Sequence, residues 1–273
     1  PLPTGNQSMQ RTFSAEFVYQ LFSLLLSVLL VHAVYVTLVW PNAQAVIEQN
    51  RQMVKQDASY TPQRSWYIVL KDYEQEACFV LGLWALSIMG YKARNVARER
   101  DMLDRELVPI AEGMRILPED TRNYIRQIQG LPPADQALLL PRALLNALQR
   151  FGATHNVQDA SSSAHTVVMS GGERLEAELS MIRYILWAIP SIGFIGTVRG
   201  IGDALGVANK AVSGDISGVT ESLGVAFNST LIALLISILL MFLVHQLQLL
   251  QERLSFEAES YLDEHLIRHL QVN

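Results

Sequence analysis

The chain has 273 residues, of which 50% are hydrophobic and only 17% charged, with a formal net charge of -5. That balance is too apolar for an ordinary soluble domain. The single cysteine, Cys78, excludes an intrachain disulfide and a cysteine-built metal site, and no dense Lys/Arg stripe interleaved with aromatics points to nucleic acid.

In chain order, the first element is an apolar run. No Asp, Glu, Lys or Arg occurs from Phe17 to Ile47, and Phe17 to Trp40 alone gives 24 residues, where a membrane span needs about 20. Residues 17–40 are therefore expected to form a transmembrane helix after a cytoplasmic N-terminus over 1–16. A signal peptide is the competing reading, because Arg11 precedes the run and Ala43-Gln44-Ala45 resembles a cleavage site. A signal's apolar stretch is only about 7 to 15 residues, so the helix is expected to stay. His32 in this span reads as an interhelical hydrogen-bond partner rather than a proton relay.

After an outer loop over 41–76, the next apolar run, 77–91 (ACFVLGLWALSIMGY), holds 15 residues, short against the roughly 17 to 25 of a free-standing span. It is expected to cross nonetheless, with Trp84 and Tyr91 near the boundaries, neighbours sheltering its ends, and Cys78 serving packing. The basic group Lys92, Arg94, Arg98, Arg100 and Arg105 directly after it marks the cytoplasmic side. Arg51, Lys55, Arg64 and Lys71 in the outer loop weaken that asymmetry without reversing it.

Residues 92–180 read as a helical cytoplasmic domain punctuated by breakers, with Pro118 and Gly130 bracketing one helix and Pro141 and Gly152 another. The Ser, His, Asn and Gly between Ala153 and Gly172 lead us to expect a flexible link. Helical spacing resumes at Leu175, Leu179, Ile182 and Leu186, so the third span, 181–207, is expected to end a longer helix. A short turn over 208–218 leads to the fourth span, 219–248. There Ser222 to Gln251 gives 30 uncharged residues, roughly 45 Å of helix. Leu250, Leu254, Tyr261 and Leu266 among charges make 249–273 an amphipathic cytoplasmic helix. The expected fold is an all-α integral membrane protein of about four transmembrane helices, with both termini and the domain between spans two and three in the cytoplasm.

The third and fourth spans carry the informative patterns. Gly193, Thr197, Gly200 and Ala204 share one helical face, and Gly196 and Gly200 form a small-xxx-small contact. Pro190 lacks an amide hydrogen and so frees a carbonyl for a neighbour, water or an ion. In the fourth span Ser222, Ala226, Ser229, Thr230, Ala233 and Ser237 lie along one side, and Leu223, Phe227, Leu231, Leu234 and Ile238 along another. Small faces call for close helical neighbours, and their hydroxyls either bond their own backbone or line a polar path. Residue chemistry alone leaves these two open.

The segment PSIGFIGTVRGI, Pro190 to Ile201, resembles the third-span motif of the MotA/TolQ/ExbB family, and SLGVAFNSTLIALL, Ser222 to Leu235, resembles its fourth-span motif. The resemblance covers about Ala188 to Ile238. It implies an ion-driven stator or energiser subunit in which five copies surround two copies of a single-pass MotB/ExbD/TolR-like partner with an intramembrane Asp. Such a complex passes protons or sodium ions across the bacterial inner membrane and turns the flow into rotation or force. Pro190, Gly193, Thr197, Ser229 and Thr230 would then face the partner and the ion path, with Gly196, Gly200, Ala226 and Ala233 packing the helices.

Two departures matter. Val225 stands where three-span members carry a Glu, which leans toward the four-span, MotA-like layout. Arg199 stands where members tend to have an apolar residue. At about 100° per residue it points nearly opposite Thr197 and is expected to snorkel to the outer interface, with Asp203 and Glu221 near enough to pair with it or to attract cations to the mouth.

No Asp or Glu occurs in Phe17 to Ile47, Ala77 to Tyr91, Tyr184 to Gly202 or Ser222 to Gln251, so the titrating carboxylate is expected from the partner. His265 and His269 have the i, i+4 spacing of two metal ligands but lack further ligands, and a solvated face is expected. No nucleophile elbow, phosphate loop or zinc-protease motif occurs, so neither enzyme chemistry nor a cofactor is expected. The rival reading is a non-conducting membrane scaffold or sensor acting through the cytoplasmic helices. A solute transporter would show internal repeats and more spans.

Overall fold

The computed structural model describes residues 7–56, 60, 65–109, 114–212, 214 and 216–272, with side chains from Glu16 onward. Among these every regular element is helical, and a lone bridge joins Ile116 to Leu270. The helices are α1 (Gln7–Val34), a π turn (Tyr35–Val39), α2 (Trp40–Gln56), α3 (Trp66–Leu70), α4 (Tyr73–Leu103), α5 (Thr121–Gln129), α6 (Pro133–Gln136), α7 (Leu139–Thr154), α8 (Val157–Ala177), α9 (Ser180–Gly206), α10 (Ala208–Val212) and α11 (Ser217–His265). Among the described residues three helical runs are long and apolar enough to cross a membrane: Glu16–Gln56, Val157–Gly206 and Ser217–His269. The chain is an all-helical membrane protein with several spans.

Two compact units divide it: one of residues 1–89 and 181–243, the other of 90–180 and 244–273.

In the first unit, the helix of the first apolar run does not stop at Trp40 but continues to Gln56. The expected loop over 41–76 is therefore helical in its first part, and again at α3. Pro41 has no amide hydrogen to give. The backbone absorbs this in the π turn, where the Trp40 N–H reaches back to Tyr35 O. Trp40 then anchors the corner, its Nε1–H donating to Lys71 O at 2.9 Å and its ring meeting Tyr35 and Tyr73 edge-on. Residues 57–59 and 61–64 of the expected loop, including Arg64, lie outside the described residues, as do Ser213 and Asp215 of the 208–218 turn and residues 1–6 of the expected 1–16 segment.

The second unit has the apolar core of a small globular domain. Leu140, Leu144, Leu148 and Phe151 of α7 are buried against Ala160, Ala164 and Val168 of α8, with Leu262, Leu266 and Leu270 completing the cluster. Burying each large side chain is worth about 1.5–3 kcal/mol, which outweighs weak local propensity. The expected flexible link between Ala153 and Gly172 is corrected on this ground. His155, at φ 53°, ends α7, and the Asn156 side chain accepts from the Gln158 N–H at 2.8 Å to start the 21-residue α8. Its Ser and Gly residues are weak helix formers, but Ala160, Ala164 and Val168 recur every four residues and supply the buried stripe. The basic group after residue 91 is partly structural. Lys92, 2% exposed, pairs with Glu178 at 2.8 Å, and Arg98 with Asp135 at 3.0 Å.

Candidate functional site

Inside the first unit, α9 and α11 meet along their glycine and alanine faces. A Cβ added at Gly193 would lie 2.4 Å from Ala233 Cβ, one at Gly196 2.5 Å from Ser229 Cβ, and one at Gly200 2.6 Å from the Ala226 nitrogen. No side chain fits there, and that is what lets the two backbones approach. Gly193, Gly196, Gly200, Ala226, Ala233 and Ser229 are all buried. Phe227 and Ile238, on the bulky side of α11, are each 66% exposed.

Within this seam the hydroxyls of Thr197 and Thr230 face each other within hydrogen-bonding distance. Thr230 Oγ1 lies 3.1 Å from Gly193 O, and Thr197 Oγ1 lies 3.1 Å from Ala226 O and 3.3 Å from Gly193 O. Two hydroxyl protons thus have one another and two carbonyls to choose among, and lone pairs remain for an incoming donor or ion. Both threonines are half-buried rather than sealed in. Ser229 is different. It is fully buried, donates to Val225 O at 2.9 Å and accepts from Gln75 Nε2 at 3.4 Å.

Pro190 sits inside α9 and leaves Leu186 O without its helical donor. The Ser237 hydroxyl, 4% exposed, lies 3.5 Å from that carbonyl.

The charges at the opposite end of α9 are arranged otherwise than expected. Arg199 is held by Glu74, with Nε at 2.7 Å from Oε1 and the second nitrogen at 2.8 Å from Oε2, and lies 3.9 Å from Asp72. Glu221 instead pairs with Lys71 at 3.4 Å, and Asp203 is exposed. Asp203 and Glu221 were read as able to pair with Arg199 or to attract cations to the mouth; the start of α4 comes closer to Arg199 than either. His32 Nδ1 is 2.7 Å from Glu76 Oε1, an interhelical contact. Asp72, Glu74, Gln75 and Glu76 were not singled out from sequence. The available signal was Arg199 itself, since a cation in a span needs a counter-ion, and these acids precede the second apolar run at the same end.

The remaining candidates are scattered. His265 stacks on Tyr261 at 4.3 Å, and His269 Nδ1 lies 3.2 Å from Met114 O. Cys78 is buried with its Sγ 3.7 Å from Ile189 O. Among the described residues no group of three His, Cys, Asp or Glu is placed to hold a metal.

No match was found among curated proteins or among solved structures. Residues 137–260 match the family model described as the MotA/TolQ/ExbB proton channel family. That segment contains all of α9, most of α11, and the threonine pair with its glycine seam. By this match the segment that carries the candidate site is similar to the MotA/TolQ/ExbB proton channel family.

Proposed function

We propose that the chain is the ion-conducting subunit of a bacterial inner-membrane motor complex, passing protons or sodium ions and converting the flow into rotation or mechanical work. Five copies surround a dimer of a single-pass MotB/ExbD/TolR-like protein whose intramembrane Asp carries the charge. The observation that carries this reading is the Thr197–Thr230 hydroxyl pair, half-exposed at the α9–α11 seam within the matched segment. Its free lone pairs suit an ion or a protonated carboxylate presented from outside the chain. Pro190, Gly193 and Ser229 support the pair, Ser229 by packing against Gly196 and Gln75 rather than by facing an opening. The protein is a transport component and not an enzyme, and it uses no cofactor.

In this reading the 77–91 segment crosses as a fourth span. It lies alongside the other spans over its length: Cys78 reaches Ile189, Gly82 lies against Ile236, Trp84 Nε1–H donates to Gln20 O, and the Tyr19 hydroxyl meets Ser87. Residues 92–180 and 249–273 are then cytoplasmic, and 41–76 and 208–218 face the periplasm.

Valine keeps the shape of threonine while removing the hydroxyl. The Thr197→Val, Thr230→Val double variant, co-reconstituted with the partner in liposomes, should lose ion flux on the order of a hundredfold while keeping its copy number by native mass spectrometry. Wild-type flux from an intact double variant would overturn the assignment.

A further inference from the structure

In the second unit, α8 and the end of α11 run antiparallel. His165 Nδ1 lies 2.8 Å from Glu259 Oε1, and further along α8 a Cβ at Gly172 would stand 3.1 Å from Ser255 Oγ, which comes earlier on α11. Between the two helices is a cavity of about 300 Å³, and Phe256 and Glu259 line both it and a second one of about 320 Å³, so the two form one groove.

The first cavity is walled by Glu173 and Glu176 of α8 and by Glu252 and Glu259 of α11, and none of its lining residues is Lys, Arg or His. Carboxylates on neighbouring helical turns repel one another. Glu173 and Glu252 have no ion-pair partner among the described residues to offset this. A second observation points the same way. Gln251, on the same wall, is 5% exposed, and its Nε2 has no hydrogen-bond partner. A buried amide in that state is costly, and a ligand that bonds to it removes the cost. The rest of the wall is apolar, with Val168 beside Met169 and Phe256, the last two 51% and 71% exposed.

These features narrow the ligand. Among the described residues no three acidic or histidine side chains converge as a metal ion needs, so the carboxylates are spread along the groove rather than gathered around a point. The volume falls at the lower end of the range for small-molecule pockets, about 300–1,000 Å³, and a helix about 10–12 Å across is too wide to enter. A thin chain carrying several positive charges on an aliphatic backbone fits both limits.

We infer that the α8–α11 groove binds a linear aliphatic polyamine of the spermidine class, one molecule per chain. Its ammonium groups, which only donate, bond to Glu173, Glu176, Glu252 and Glu259, and its methylene runs lie against Val168, Met169 and Phe256. A half-turn of the Gln251 amide presents its oxygen to a further ammonium N–H. Binding is non-covalent and stands apart from the conduction proposed above.

The test is a calorimetric titration of the purified full chain, in mild detergent, with spermidine. Binding should saturate at one molecule per chain. The Glu173→Gln, Glu252→Gln double variant should bind on the order of tenfold more weakly or worse, and Gln251→Leu should weaken binding by a smaller factor. Asp101→Asn, which removes an exposed carboxylate that does not line the groove, should leave binding unchanged. Spermidine should also raise the thermal midpoint of the wild type and not that of the double variant, and the variants' midpoints without ligand report whether they are folded. If the double variant does not fold, Gln251→Leu carries the test alone. Binding that does not saturate, that is equal in the folded variants, or that is displaced by equimolar magnesium ion overturns the site. A Lys-rich amphipathic peptide that binds and is weakened by the same substitutions, where spermidine does not bind, makes the groove a protein-docking face and overturns the polyamine assignment.

Discussion

Gly200 and Gly202 are two residues apart on α9 and have opposite surroundings. A Cβ at Gly200 would meet the Ala226 nitrogen at 2.6 Å and Ser222 O at 2.7 Å, both backbone atoms that cannot swing aside. A Cβ at Gly202 would meet nothing within 4 Å. Gly200→Ala should therefore destabilise the protein by about 1–3 kcal/mol, whereas Gly202→Ala should be neutral or stabilising by about 0.5–1 kcal/mol. Thermal unfolding in mild detergent separates the two, and equal midpoints would remove the close α9–α11 seam. Glu99 offers a second test at this scale. Its Oε2 accepts the Leu139 N–H at 2.7 Å, and burial pushes its carboxyl up to about 6 from 4.5, against that bond and the pull of Arg142 and Arg174. With the folded value above the unfolded one, its contribution is complete below about 4.5 and is lost as pH rises through about 6. Glu99→Gln keeps an acceptor oxygen for Leu139 and removes this step, so the wild type should lose about 1–2 kcal/mol relative to the variant across that window. Parallel stability profiles would contradict the burial account. Among the site residues, the threonines and glycines were legible because one helical period gathers them. Arg199's partner was not, because Glu74 is 125 residues away and only the fold brings it near.

Elements were legible where periodicity was strong and misjudged where composition argued against packing. The apolar runs at 17–40 and in α9 and α11 needed only a count of uncharged residues. The helix past Pro41 and the whole of α8 were hidden, the first because proline normally stops a helix and the second because Ser and Gly mask a buried Ala160–Ala164–Val168 stripe. Short length left the 77–91 segment open, and sidedness can settle it. With Cys78→Ala as background, Trp66→Cys, at a position 71% exposed, and Arg94→Cys, also at an exposed position, lie on either side of the segment. A membrane-impermeant thiol reagent should label position 66 from the outer side only and position 94 only after permeabilisation. Labelling of both from one side would reduce the spans to three.

For the whole molecule, the small-residue faces fix which helices are neighbours. They were read as calling for close helical neighbours, and α9 and α11 use them on each other, with Gly193, Gly196 and Gly200 against Ala233, Ser229 and Ala226. Subunit contacts in the proposed pentamer must then use other surfaces. Trp187, Phe194, Ile195 and Val198 of α9 and Phe227 and Ile238 of α11 are exposed bulky groups available for neighbours or lipid. The division of labour is also a whole-molecule matter. The hydroxyls at the seam do not titrate near neutral pH, and no Asp or Glu lies within the apolar stretches. The measurement that tests this most directly is ion flux in liposomes under an imposed pH or sodium gradient, comparing the chain alone with the chain plus its single-span partner. The account predicts that the chain alone leaks no more than protein-free vesicles and that selective flux appears only with the partner's carboxylate intact; sustained, selective flux from the chain alone would contradict it.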